Sequence, residues 1–115
     1  MKLYGIPNCD TVKKARTWLA EHGHDYDWHD FKKQGVSAEL LAHWADKAGW
    51  ETLLNRQGTT WRKLDDASKA AVTDAASAIA VMLAQPSAIK RPVLDHNGTI
   101  TVGFKPDTYN ALFSR

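Results

Sequence analysis

The sequence predicts a mixed α/β fold in one domain, with strands at both ends of the chain and helices between them. Three observations point there. The chain opens strand–helix–strand within its first ~30 residues, the size of a βαβ unit. Its middle carries helical spacing only, and it closes on a hairpin signal followed by one more helix.

The elements follow in order. Lys2 to Gly5 is short but precedes a Pro-Asn break and a helical pattern, which makes it the first strand. From Asp10 to His22, Val12, Ala15, Trp18 and Leu19 recur at helical spacing, and Gly23 is placed to end the helix. Asp25 to Phe31 alternates polar with aromatic residues, the period of a second strand, which a crossover would set parallel to the first. Ser37 can cap a helix in which Leu40, Leu41, Trp44 and Ala48 share a face before Gly49, and Trp50 to Asn55 adds a turn. Leu53 to Leu64 reads as a loop with an apolar anchor at each end, and Asp66 to Val72 as a short helix. Thr73 is the expected cap of the next helix, with Ala75, Ile79, Met82 and Leu83 along one side until Gln85-Pro86 stops it.

The tail changes period. Pro92 to His96 and Thr99 to Phe104 flank Asn97-Gly98, which supplies the positive φ values of a two-residue type I′ turn. Pro106 suits the first turn of a last helix carrying Tyr109, Leu112 and Phe113. Two parallel strands, then an antiparallel hairpin, with helices on the faces, make a thioredoxin-like arrangement. Its core is expected over about 1–33 and 87–115, and an all-helical insertion over about 34–86, within a single domain spanning 1–115.

Composition removes several function classes. Lys and Arg number 15 against 13 Asp and Glu, too even for a dedicated nucleic-acid binder. One cysteine excludes an internal disulfide framework and suits a reducing compartment. The opening residues turn polar at once, unlike a secretory signal, and no apolar run approaches the ~20 residues that span a bilayer. A soluble, cytoplasmic protein without a membrane or nucleic-acid partner is expected, as a monomer. The five histidines lack the combined spacing of a zinc site, so no metal is expected.

Two residues stand out chemically. A lone cysteine is by default a small buried hydrophobe. Cys9, however, lies between a strand end and a helix start, where α/β folds place ligand sites, among the turn and cap residues Pro7, Asn8, Asp10 and Thr11. Helix N-terminal N–H groups there favour a thiolate, which Asp10 opposes unless its carboxylate turns away or caps the helix. Arg91 is by default a solvated surface arginine. Yet it precedes Pro92 at the entry to a core strand, where an X-Pro bond is a candidate for the cis isomer. A guanidinium at that point can pair with a thiolate or hold an anionic group in a bidentate fork. Lys13, Lys14, Arg56 and Lys105 are weaker candidates for the same positive ring.

Four segments together are similar to one family. Gly5-Ile6-Pro7-Asn8-Cys9-Asp10-Thr11-Val12-Lys13-Lys14-Ala15, the stretch from Leu53 to Leu64, Ile89-Lys90-Arg91-Pro92-Val93-Leu94, and Val102-Gly103-Phe104-Lys105-Pro106 resemble the ArsC/Spx family, closest to its YffB-like branch. The resemblance implies a thioredoxin-like fold with a helical insertion, a nucleophilic Cys9 and an arginine before a cis proline, at Arg91-Pro92. Of three arginines that bind the oxyanion in arsenate reductases of this family, Arg91 alone matches. Asn55, with Arg56 beside it, and Lys105 stand at the other two positions, and Gly5 stands where the family has a histidine. Cys9-Asp10-Thr11-Val12 lacks the second sulfur of the Spx switch. The resemblance therefore implies a glutathione-dependent thiol (disulfide) reductase acting on an oxidised thiol of a small molecule or protein. An arsenate-reductase-like enzyme and a non-catalytic, Spx-like binding regulator are the alternatives. No tightly bound cofactor is implied, glutathione serving as co-substrate near Asn8, Asp10, Thr11, Lys13, Asn55, Arg56, Arg91, Pro92 and Lys105.

Overall fold

The structure is a computed structural model and describes residues 1–114. Along the chain run β1 (Lys2–Gly5), α1 (Asp10–Glu21), β2 (Asp27–Asp30), α2 (Phe31–Gln34), α3 (Ala38–Ala48), α4 (Trp50–Leu53), α5 (Thr59–Arg62), α6 (Asp66–Ala70), α7 (Ala75–Ala84), a 3-10 turn (Pro86–Ala88), β3 (Val93–His96), β4 (Thr99–Val102) and α8 (Pro106–Phe113). These fall into two compact units: residues 1–31 with the chain from Arg91 onward, and residues 32–90.

The first unit is a four-stranded sheet in the order β2-β1-β3-β4, with β1 and β2 parallel and the other neighbours antiparallel. This mixed sheet with its helices is the α/β thioredoxin-like fold. Leu3 of β1 pairs with Leu94 of β3, and both are fully buried. Ala15 and Leu19 of α1 and Tyr109 and Leu112 of α8 complete one cluster with them, so both helices lie on the Leu3 face of the sheet. Strand side chains alternate, which turns Tyr4 to the other face, where its ring lies 4.9 Å from His29 and 6.5 Å from Phe31.

Helix α1 ends as its sequence foretells. Gly23 adopts φ +72°, its N–H reaches Ala20 O, and the His24 N–H reaches Leu19 O at 2.9 Å, a Schellman closure. The second strand is shorter than the alternation from Asp25 to Phe31 suggests. Asp25 and Tyr26 stay outside the ladder, Tyr26 accepting a 2.9 Å hydrogen bond from Arg16 Nε, and Phe31 opens α2. The hairpin turns on Asn97 and Gly98, at φ 52° and 87°, and His96 pairs directly with Thr99.

In the second unit, Ser37 caps α3 by accepting from Leu40 N, and Leu41 and Trp44 are buried. Helix α3 packs against α7, whose buried residues are Ala78 and Met82. Leu83 is 39% exposed and does not join that side, because it stands about 100° around the helix from Met82. Nor is Thr73 the cap: Asp74 accepts from Ser77 N at 2.9 Å while Ser77 Oγ accepts from Asp74 N, a reciprocal box. Thr73 contributes only its N–H, to the same Ser77 Oγ. The stretch read as a plain loop from Leu53 to Leu64 holds the helical turn α5, and Leu54 forms a β-bridge with Ile89.

Two substitutions test these junctions. A Cβ on Gly5 would stand 2.9 Å from Val12 Cγ2 and 3.4 Å from Trp28 Cη2, so Gly5→Ala is expected to cost about 1–3 kcal/mol in chemical denaturation. Asp74→Ala removes a cap and should cost about 1 kcal/mol by the same measurement, with no effect on Cys9 reactivity.

Candidate functional site

The strand-to-helix junction places Cys9. Strand β1 ends at Gly5, whose missing side chain lets Val12 of α1 lie against the strand end. The chain then turns through residues 6–8, with the Cys9 N–H on Ile6 O at 3.4 Å. Cys9 is the N-cap of α1, extended at φ −102° and ψ 126°, and its carbonyl accepts the first helical hydrogen bond from Lys13 N at 2.9 Å.

That position decides the electrostatics of a half-buried thiol. Burial pushes the Cys9 thiol up, but the Val12 N–H, the Arg91 guanidinium through hydrogen bonding and charge, and the Thr11 N–H together outweigh it, and the net shift is downward. The Cys9 side chain closes no capping hydrogen bond of its own. The two N–H groups, at the second and third positions of the helix, are instead placed to serve the charge that appears when the proton leaves. Asp10 is exposed and, among the described residues, is not one of the groups that shift the thiol.

Arg91 reaches the sulfur from the entry to β3. Its bond to Pro92 is cis, Pro92 is buried, and the Pro92 carbonyl accepts from Gly103 N at 2.8 Å. Gly103 sits at φ +82° just past β4, so the end of one strand fixes the start of its neighbour. A branched side chain at that φ would be strained.

The other residues named from sequence are distributed as follows. Asn8 is exposed on the approach to Cys9, and Thr11 acts through its backbone. Lys13 is exposed one turn along α1. Lys105 is exposed at the N-cap of α8 and is not among the groups that act on the sulfur. Asn55 and Arg56 belong to the second unit. There the Asn55 N–H donates to Ala88 O at 2.8 Å and its Oδ1 accepts from Gln57 N, while a Cβ on Gly58 would stand 2.7 Å from its Nδ2. Arg56 lies 3.9 Å from Glu51 and 5.7 Å from the Trp50 ring. The Gly103 tether was missed from sequence, whereas the helix N-terminal N–H groups, expected there as a set, narrow in the structure to those of Thr11 and Val12.

The ArsC family matches residues 4–112, which is nearly all of the chain and includes every residue of this junction. The chain belongs to the ArsC family. Its likeness to a solved YffB protein, at 60% identity and a TM-score of 0.91 over 96% of each chain, places it in the YffB-like branch. It is also similar to an arsenate reductase (ArsC) related protein from Brucella melitensis, 54% identical with a TM-score of 0.77, over 99% of this chain and 94% of that one. A relative in Haemophilus influenzae, described as an uncharacterized protein, is 39% identical over 112 residues, 97% of each chain. Among the described residues of this ArsC-family chain, no helix is long and apolar enough to cross a membrane.

The lowered thiol has a direct readout. Thiolate, not thiol, is alkylated, so the iodoacetamide rate should rise with pH and level off at a midpoint below the 9.0 of an unperturbed cysteine. Arg91→Met removes a cation that favours the thiolate and should move that midpoint upward.

Proposed function

We propose that the protein is a thiol–disulfide oxidoreductase that uses Cys9 as its single nucleophile and glutathione as the resolving thiol. One observation carries this reading. The sequence's only cysteine sits at the N-cap of a twelve-residue helix, with two backbone N–H groups and the Arg91 guanidinium lowering its pKa. That environment raises the thiolate fraction near neutral pH, and the sequence holds no second cysteine to finish a cycle internally.

The cycle follows from thiol exchange. The Cys9 thiolate attacks one sulfur of an oxidised substrate, a new S–S bond forms, the old one breaks, and the departing thiolate takes a proton. Glutathione thiolate then attacks the substrate sulfur of the mixed disulfide and frees Cys9, leaving a glutathione–substrate disulfide. A second glutathione cleaves that disulfide, so two glutathione thiols supply the two electrons and leave as one glutathione disulfide. Arg91 has the planar donor geometry to meet a glutathione carboxylate once the sulfur is engaged. The backbone around Cys9, with Asn8, Asp10 and Thr11, borders the same space. The reading keeps a monomer, with Lys13, Lys105 and Pro92 as the remaining candidates of this unit for contact with glutathione.

Intact-mass measurement after incubation with oxidised glutathione is expected to show one adduct, on Cys9. In turnover with glutathione and a small disulfide, Cys9→Ser should be inactive and Arg91→Ala should need more glutathione for half-maximal rate. Persisting turnover in Cys9→Ser would overturn the assignment. Arsenate in place of the disulfide should give no Cys9-dependent turnover. Among the described residues of this unit Arg91 is the one guanidinium acting on the sulfur, and a tetrahedral oxyanion asks for several fixed donors.

A further inference from the structure

Beside α1 runs a groove that the Cys9–Arg91 pair does not use. It has a volume of about 380 Å³, and Trp18, Phe104 and Pro106 give it an apolar lining. The floor is built to hold its shape. Trp18 and Phe104 are half-buried, and each meets the fully buried Tyr109 ring edge-on, at 5.4 Å and 4.7 Å between centroids. The rim is polarised. Lys13 and Lys14 flank the end nearer Cys9, Glu21 the far end, and exposed Thr17 lies between them. Because Lys13 N bonds to Cys9 O, the groove begins one helical turn, about 6 Å of rise, from the residue that bears the sulfur.

Glutathione does not explain this surface. It is a small polar anion with carboxylates for lysines and arginines, but it has no apolar side chain to cover two aromatic rings. A polypeptide does. We propose that the oxidised substrate of Cys9 is a protein segment that seats an apolar side chain on the Trp18–Phe104 floor and sets an acidic residue against Lys13 and Lys14. Docked in that way, its oxidised cysteine lies at the N-terminal end of α1, facing Cys9. The inference rests on the reductase reading and names its substrate class. For a segment whose cysteine is joined to glutathione, Cys9 thiolate bonds to the glutathione sulfur and the substrate S–S bond breaks. The segment leaves as a thiolate that takes a proton. A second glutathione then restores Cys9 and departs as glutathione disulfide.

The test compares two peptides, each carrying one cysteine as a glutathione mixed disulfide, with hydroxyethyl disulfide as a small substrate. One peptide flanks its cysteine with Leu and Glu, the other with Gly and Lys. Burial of one apolar side chain predicts a kcat/KM roughly tenfold or more higher for the first peptide. Thr17→Trp, which fills the groove, and Thr17→Glu, which places a like charge beside the docked acid, should each erase that preference. Both should leave hydroxyethyl disulfide turnover at the wild-type rate. Equal kcat/KM for the two peptides, with the small disulfide still turned over, would overturn the docking surface and leave the reductase reading standing. A preference that survives both Thr17 variants would also overturn it. Loss of Cys9-dependent turnover on every disulfide would overturn both readings.

Discussion

A negative charge on one sulfur, answered by the amino end of a helix and by a guanidinium arriving from a different strand, is the interaction that organises the first unit. Helix amides offer such a charge only partial compensation, so the cation has to be delivered to the same point. Two local packing facts deliver it. The bare Cα of Gly5 lets Val12 close on the end of β1, which sets the start of α1 at the sheet. The hydrogen bond from Gly103 to the Pro92 carbonyl ties the entry of β3 to the exit of β4, which sets Arg91. Neither contact involves the reactive atom, yet a shift in either would move a donor away from it.

Much of this architecture could be read from the residues because local and global signals agree there. The apolar spacing of Val12, Ala15 and Leu19 and the stop at Gly23 specify α1 twice over, once by its buried face and once by its closure. Asn97-Gly98 fixes its turn, and with the turn the pairing of Val93 to His96 against Thr99 to Val102. Arg91-Pro92-Val93 announces a strand entry for similar reasons. The readings that missed fall where two chemistries compete at neighbouring positions. Thr73 and Asp74 are both capping residues, and the longer reach of the aspartate together with Ser77 three residues on settles the choice. Leu83 belongs to a helix apolar nearly all round, whose buried side is chosen by what it packs against and not by its own period. Residues 59–62 carry too few apolar positions to display a period, so a single turn of helix there left no trace.

Charged side chains were the hardest to place for a related reason. The sequence shows that Arg56, Lys105 and Arg91 exist, but not what each will meet. Arg56 finds Glu51 and Trp50 within its own unit, Lys105 faces solvent at the start of α8, and Arg91 faces Cys9. Only the last lies at a position whose backbone is held by a buried proline, and it alone of the three acts on the thiol. A long flexible cation becomes part of a site when its Cα is immobilised, since less rotamer freedom then remains to be lost on pairing.

A chain with one thiol has a different law of mass action from a dithiol protein. Forming an internal bridge releases two small thiols per small disulfide consumed, so its extent depends on their absolute concentration as well as their ratio. Capping Cys9 releases one small thiol per small disulfide consumed, and the concentration units cancel. The capped fraction therefore follows the ratio of the two small species alone, and diluting or concentrating the whole pool tenfold would leave it unchanged.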